Sequence, residues 1–216
     1  MACRVVVLIG LLTLMGCRAR SSVPSGQETG LPYNTDSTLI FNGISLDGWE
    51  VANFGPQGPV SVSGGEIILG MGDGCTGITY TRSIPSKDFE ITLEARRKEG
   101  HDFFCGLTFP VENDFCTFIA GGWGGTTVGL SCINGKDASE NETTTHMSFE
   151  KGRWYLIRLL VSESKIEVWI DESKVIDFNI TGKRISIRPE VALSRPLGIA
   201  SWNTVAGIRN VRLREM

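Results

Sequence analysis

Apolar residues recur at every second position through most of this chain, and that period admits strands and little else. Phe89, Ile91, Leu93 and Ala95 alternate with Glu90, Thr92, Glu94 and Arg96, as in a strand with one face buried and one solvated. Phe103, Cys105, Leu107 and Phe109 repeat the pattern and run into a turn at Pro110-Val111-Glu112-Asn113-Asp114. Ile166, Val168 and Ile170 face one way, while Lys165, Glu167, Trp169 and Asp171 face the other. The stretch from Trp154 to Val161 is apolar on both faces and predicts a strand set centrally between layers. Further strands are expected near 38–41, 59–63, 66–70, 77–81, 115–120, 127–132, 144–149, 174–179, 197–202 and 205–214. Gly64-Gly65 and Asp171-Glu172-Ser173-Lys174 supply hairpin connections. No helical period persists beyond about two turns, short of an ordinary helix. So many short strands cannot lie in one flat sheet. The pattern predicts an all-β fold, a two-sheet antiparallel sandwich of the jelly-roll kind.

The first residues carry a different signal. Arg4 precedes the apolar run Val5 to Leu12, which ends in Leu14-Met15-Gly16-Cys17. A positive start, a short apolar stretch and small residues before a cut site make an export signal, and the run is too short for a retained spanning helix. Leu14-Met15-Gly16-Cys17 resembles the bacterial lipobox, whose cysteine is acylated and becomes the new N-terminus. The expected organisation is therefore a signal peptide over 1–16, a lipid-anchored flexible linker over 17–37 and the folded domain over 38–216. Its place would be the bacterial cell envelope, facing the periplasm or the cell surface, with the membrane met only through the Cys17 anchor.

Composition narrows the partners. A net charge of −3 leaves no positive field to hold a polyanion, so nucleic acid is not an expected partner. The 216 residues, 41% of them hydrophobic, suffice for one core. Outside the leader stand Cys75, Cys105, Cys116 and Cys132, which can pair in three ways as two disulfides or remain buried thiols. No CxxC spacing points to zinc. The sequons Asn141-Glu142-Thr143 and Asn179-Ile180-Thr181 read as chance matches on a bacterial lipoprotein.

Three stretches carry a family resemblance: Phe41-Asn42-Gly43-Ile44-Ser45-Leu46-Asp47-Gly48-Trp49, Asp88-Phe89-Glu90-Ile91 to Arg96, and Pro196-Leu197-Gly198-Ile199 to Gly207-Ile208-Arg209-Asn210-Val211. Together they resemble the 3-keto-disaccharide hydrolases, also described as 3-keto-glucoside lyases and hydratases. The resemblance implies a concanavalin A-like, laminin-G-like jelly roll and a carbohydrate as partner. It also implies cleavage of 3-keto-glycosides by proton abstraction at C2 and elimination at C1. The chain departs from the family where polar residues usually stand. It has Phe104-Cys105-Gly106 and Pro110 on one strand, Asp114-Phe115-Cys116 on the next and Ile199-Ala200-Ser201-Trp202 near the end. No catalytic role is carried over at those positions. Either other residues perform the reaction, or the domain is a non-catalytic glycan-binding jelly roll. An adhesion or scaffold role is a third reading that the same fold admits.

Proton abstraction needs a base, plus donors or a divalent cation beside the enolate oxygen. Two histidines are present. His146 follows the polar loop 134–145, which holds Glu142, and reads either as a base or as an exposed hairpin residue. His101, before Asp102 at a turn, reads either as catalytic or as a sheet-edge residue; neighbours on an extended chain point apart, which argues against a dyad. Glu112 and Asp114 share a turn, as cation ligands or as solvated charges, and the metal stays undefined. Pyranose faces stack on indoles. Trp123, within Gly121-Gly122-Trp123-Gly124-Gly125, is either a ligand platform or a lid on the core. Trp202 at a strand end and Trp169 beside Glu167 are further candidates, while Trp49 and Trp154 read as core.

Overall fold

The structure, a computed structural model, describes residues 36–216. The segment expected as an export signal, Cys17 and most of the expected linker lie outside the described residues. In chain order the strands are β1 (Thr38–Leu39), β2 (Trp49–Val51), β3 (Val60–Ser63), β4 (Glu66–Leu69), β5 (Cys75–Tyr80), β6 (Phe89–Gly100), β7 (Cys105–Val111) and β8 (Asp114–Gly122). They continue with β9 (Thr127–Ser131), β10 (Thr145–His146), β11 (Tyr155–Val161), β12 (Lys165–Ile170), β13 (Ser173–Asn179), β14 (Gly198–Trp202) and β15 (Thr204–Glu215). A short 3-10 turn, Pro189–Ser194, precedes β14. One sheet runs β13-β12-β11-β6-β15-β4-β3, with β1 also on β15; the other runs β10-β9-β8-β7-β14-β5-β2. All pairings are antiparallel. This is the expected all-β, two-sheet jelly roll.

The alternation explains the layering. Phe89, Ile91, Leu93 and Ala95 of β6 join Cys105, Leu107 and Phe109 of β7 and Phe118 of β8 in one buried cluster between the sheets. Each large apolar side chain so buried contributes about 2 kcal/mol. Expected and observed strand ends differ by a residue or two at most positions. The exceptions have local causes. β2 is too short to show a period. The segment expected as a strand over 144–149 keeps Thr145–His146 as its strand, with the Met147 N–H still donating to the Thr126 carbonyl at 2.9 Å; beyond it Phe149 packs onto the core and the Glu150 N–H donates to the Tyr155 hydroxyl at 2.7 Å.

Two expectations need correction. β11 lies centrally in its sheet, but only one of its faces is fully buried; the other, with Leu156, Arg158 and Leu160, is half-buried. Trp154 is not core. It is half-buried between the guanidinium groups of Arg96 and Arg209, at 4.3 and 4.2 Å from its ring centre. The cations are attracted to the faces of the ring and cover part of it.

The two sheets differ in their outer faces. That of the first is charged: Arg209 and Asn210 reach Glu94, and Arg96 and Lys98 both reach Glu66. That of the second carries Gly77, Thr79, Gly106, Thr108, Thr117, Gly129 and Ala200, nearly all buried. Small residues stand there because other segments lie on them. A Cβ on Gly198 would meet the Ser194 carbonyl at 2.5 Å, and one on Gly129 would meet the Ala138 carbonyl at 2.8 Å. The 3-10 turn and the 134–143 loop press on this floor and roof part of the sheet.

All four cysteines of the domain are buried free thiols. Burial pushes Cys105 and Cys116 up to about 12, so both are protonated and unreactive at neutral pH. Asn141 spends its side chain on backbone carbonyls, donating to those of Leu130 and Asp137 at 2.7 Å each.

Candidate functional site

Where the roof stops short, a cleft of about 210 Å³ remains on the second sheet. Its floor comes from Thr117 and Ile119 of β8 and Ser131 at the end of β9. Trp202, at the end of β14, and Trp123, from the β8–β9 hairpin, supply two indoles. Asp102 and Phe103 enter from the β6–β7 connection, and Arg188, Glu190 and Val191 from the roofing segment.

Trp123 is 43% exposed and adopts φ +47°, a left-handed conformation rare for a large side chain. Its loop holds that shape because the Gly125 N–H closes on the Gly122 carbonyl at 3.1 Å and the carbonyls of Gly121 and Gly125 accept from Arg97. Trp202 leans on Phe103, ring centres 6.4 Å apart, and its backbone N–H donates to the Phe103 carbonyl at 3.0 Å. One backbone segment therefore places both Trp202 and Asp102. The Asp102 N–H donates to Thr204 Oγ1 at 3.1 Å, and Asp102 Oδ1 accepts from the Phe103 N–H at 2.7 Å. Oδ2 has no hydrogen-bond partner among the described residues.

The roof carries a tight ionic clamp. Arg188 donates through Nη2 and Nε to the two oxygens of Glu190, at 2.7 and 3.3 Å, and through Nη1 to Asp137 at 2.8 Å. The Arg188 guanidinium holds the Glu190 carboxyl below its usual range, and Glu190 in turn raises Arg188. Beside them the Cys75 thiol is pushed up to about 12, by burial first and by the Glu190 charge second.

The structure brings together two of the expected residues, Trp123 and Trp202, and leaves the others outside the cleft lining. His146 sits exposed on the edge strand β10. Glu142 is exposed and ion-paired to Lys183 at 2.6 Å. His101 is exposed, and its carbonyl lies 2.9 Å from where a Gly125 Cβ would stand. The polar 134–145 loop serves as roof, with its polar groups tied into its own turns. Trp169 and Glu167 lie on the outer face of the other sheet. The Trp169 ring is covered by Arg158 at 3.7 Å and Lys174 at 4.8 Å, and Glu167 pairs with Lys174. The period placed Trp169 outward correctly, but outward on that sheet means beneath cations.

Asp102, Thr117, Ser131, Arg188 and Glu190 are polar cleft residues that pattern reading did not single out as site residues. Arg188-Pro189-Glu190 stands in an aperiodic crossover with no local mark of its destination. Asp102 could have been found from its position at the strand entry beside Phe103. Glu112 and Asp114 are exposed at the β7–β8 turn, and among the described residues no group of three or more His, Cys, Asp or Glu is placed to hold a metal ion. The residues present do not fit a cation.

Residues 36–214 match the family described as 3-keto-alpha-glucoside-1,2-lyase-like domain. Among curated proteins, none is similar in sequence. Solved structures share the fold. A putative glycosyl hydrolase from Parabacteroides distasonis superposes with TM-score 0.54 at 15% identity, over 83% of this chain and 94% of that one. A carbohydrate-binding module from Bacillus subtilis gives 0.51 at 16%, over 78% and 96%. A Bacillus licheniformis β-glucanase gives 0.57 at 12%, over 85% and 100%.

Proposed function

This chain belongs to the 3-keto-alpha-glucoside-1,2-lyase-like family, and from that premise we propose that its cleft binds a glycoside and acts on 3-keto-glycosides, with Asp102 as the base. The observation that carries the reading is the convergence of two indoles, an unclamped carboxylate and several donors on one small cleft. A pyranose stacks its C–H face on Trp123 or Trp202, releasing water from both surfaces. The C3 ketone acidifies the C2 proton. Asp102 Oδ2 takes that proton, and the C2–H electron pair becomes an enolate with its charge on the C3 oxygen. The enolate collapses, restoring the C3 carbonyl, forming a C1–C2 double bond and breaking the C1–O bond to the departing group. The Thr117 and Ser131 hydroxyls are the cleft's donors for the developing negative charge. Glu190 is the poorer base, since Arg188 engages both its oxygens and lowers its proton affinity.

A second reading, a non-catalytic glycan-binding module, is favoured by the clamp itself. It leaves one carboxylate outside any ion pair, and no imidazole lines the cleft. Incubating the protein with 3-keto-trehalose or a 3-keto-glucoside and following release of the C1 substituent separates the two. On the enzyme reading, Asp102→Asn lowers kcat by about 10²- to 10⁴-fold while binding persists, and Trp123→Ala weakens binding. Binding without turnover in the wild-type protein supports the module instead. The apolar leader ending in Gly16-Cys17 supports an exported, lipid-anchored placement in a bacterial envelope, where such glycosides would be met.

A further inference from the structure

The inward-facing series of β6 reads Phe89, Ile91, Leu93, Ala95 and then Arg97. A guanidinium occupies the next core slot. Arg97 is 8% exposed, its guanidinium lies 5.4 Å from the Phe104 ring centre and 6.0 Å from that of Phe149, and its Nε has no hydrogen-bond partner among the described residues. Burying a charge at the end of a core is unfavourable unless it secures something. What it holds is the loop of the opposite sheet: Nη2 donates to the Gly121 carbonyl at 3.2 Å and to the Gly125 carbonyl at 3.0 Å. The loop is shaped to receive it. A Cβ on Gly121 would stand 2.5 Å from Nη2, and one on Gly125 would stand 3.4 Å from both terminal nitrogens. Both glycines have positive φ, +78° and +109°, and Trp123 between them is held at +47°. A bulky residue in that conformation relaxes unless its neighbours are fixed.

We infer that Arg97 is a positioning residue for the cleft: it ties both ends of the glycine loop from the other sheet and so presets the Trp123 indole for stacking on a saccharide. The inference rests on the cleft reading above. It explains why a cation is buried where a methyl or phenyl would pack at less cost, and why the loop has glycine at both contact points. Preorganisation of this kind acts on affinity, because the bound geometry is already held in the free protein.

The test is a double-mutant cycle between Arg97→Met and Trp123→Ala. The readouts are calorimetric affinity for methyl 3-keto-α-glucoside, in the Asp102→Asn background that prevents its consumption, and amide hydrogen exchange over residues 121–125. Loss of two charge-assisted hydrogen bonds should raise exchange in the loop and weaken binding roughly tenfold or more. With Trp123 already removed, the same change should cost no further affinity, whereas Arg97→Lys should restore part of it. Full affinity and unchanged exchange in Arg97→Met, or an equal loss in the Trp123→Ala background, would overturn the inference. Should Arg97→Met not fold, Gly121→Ala attacks the same contact from the loop side and takes its place in the cycle. If Trp123→Ala binds like the wild type, or no saccharide binds at all, the cleft reading fails, and loop exchange alone then decides the role of Arg97.

Discussion

Arg188 has its charge spent twice, on Asp137 and on both oxygens of Glu190. A uronate or sulfated sugar entering the cleft would find no available cation, and would find Asp102 as well. Neutral saccharides are therefore the expected ligands. Glu190→Gln should free one edge of the guanidinium and raise affinity for a glucuronate-containing oligosaccharide about tenfold relative to its neutral counterpart. Equal selectivity in the wild type and the variant would contradict the clamp. At this scale sequence reading was uneven. The glycines around Trp123 marked an accessible indole, but Arg97 was not singled out, although it continues the inward series of β6. Nothing near Arg188 and Glu190 tells where their pair will sit, because the residue that anchors Arg188 in the cleft, Asp137, lies 51 positions away.

Among the elements, the second sheet departs most from simple alternation. β5, β7 and β9 are buried throughout, yet their outward positions hold glycine and threonine rather than valine or leucine. That mixture is the mark of a sheet face covered by backbone instead of by side chains, and it tells where the roof lies. Gly198→Ala puts a methyl against the Ser194 and Ile78 carbonyls, at 2.5 and 2.8 Å, where neither backbone can yield. The expected cost is about 1–3 kcal/mol in urea unfolding, with a loss of saccharide affinity as the Glu190 segment lifts. A variant as stable as the wild type would mean that the 3-10 turn rests loosely on the sheet. The strands themselves were legible, because a period of two is a property of neighbours in the chain. The edge strand β10 was overextended, since beyond Met147 the chain turns Phe149 onto a core that only the closed sandwich provides.

The molecule as a whole presents an ionic lattice on the outer face of its first sheet, and Glu66 is its most buried carboxylate. Burial by itself would raise that carboxyl, but hydrogen bonds from Arg96 and Lys98 outweigh it and hold the group below 4.5. A carboxyl lowered in the folded state stabilises it fully above the unfolded value and loses that contribution as pH falls through the folded one. Glu66→Gln should therefore cost about 1–3 kcal/mol at pH 7, after discounting for the partly exposed partners. The gap to the wild type should close as the pH is taken well below 4.5. A gap independent of pH would show that Glu66 acts by packing rather than by charge.

The chain's local chemistry determined its strands, their inward and outward faces, the two-sheet class and the exposed indole at Trp123, since each of these depends on residues a few positions apart. Tertiary structure alone decided which outward face became a cleft and which became a lattice of ions. It also brought Asp102, Trp202 and the Arg188–Glu190 clamp to one place. The sign of a side chain's face is set by its own strand, but what lies over that face comes from segments distant in the chain, and only the folded core brings them together.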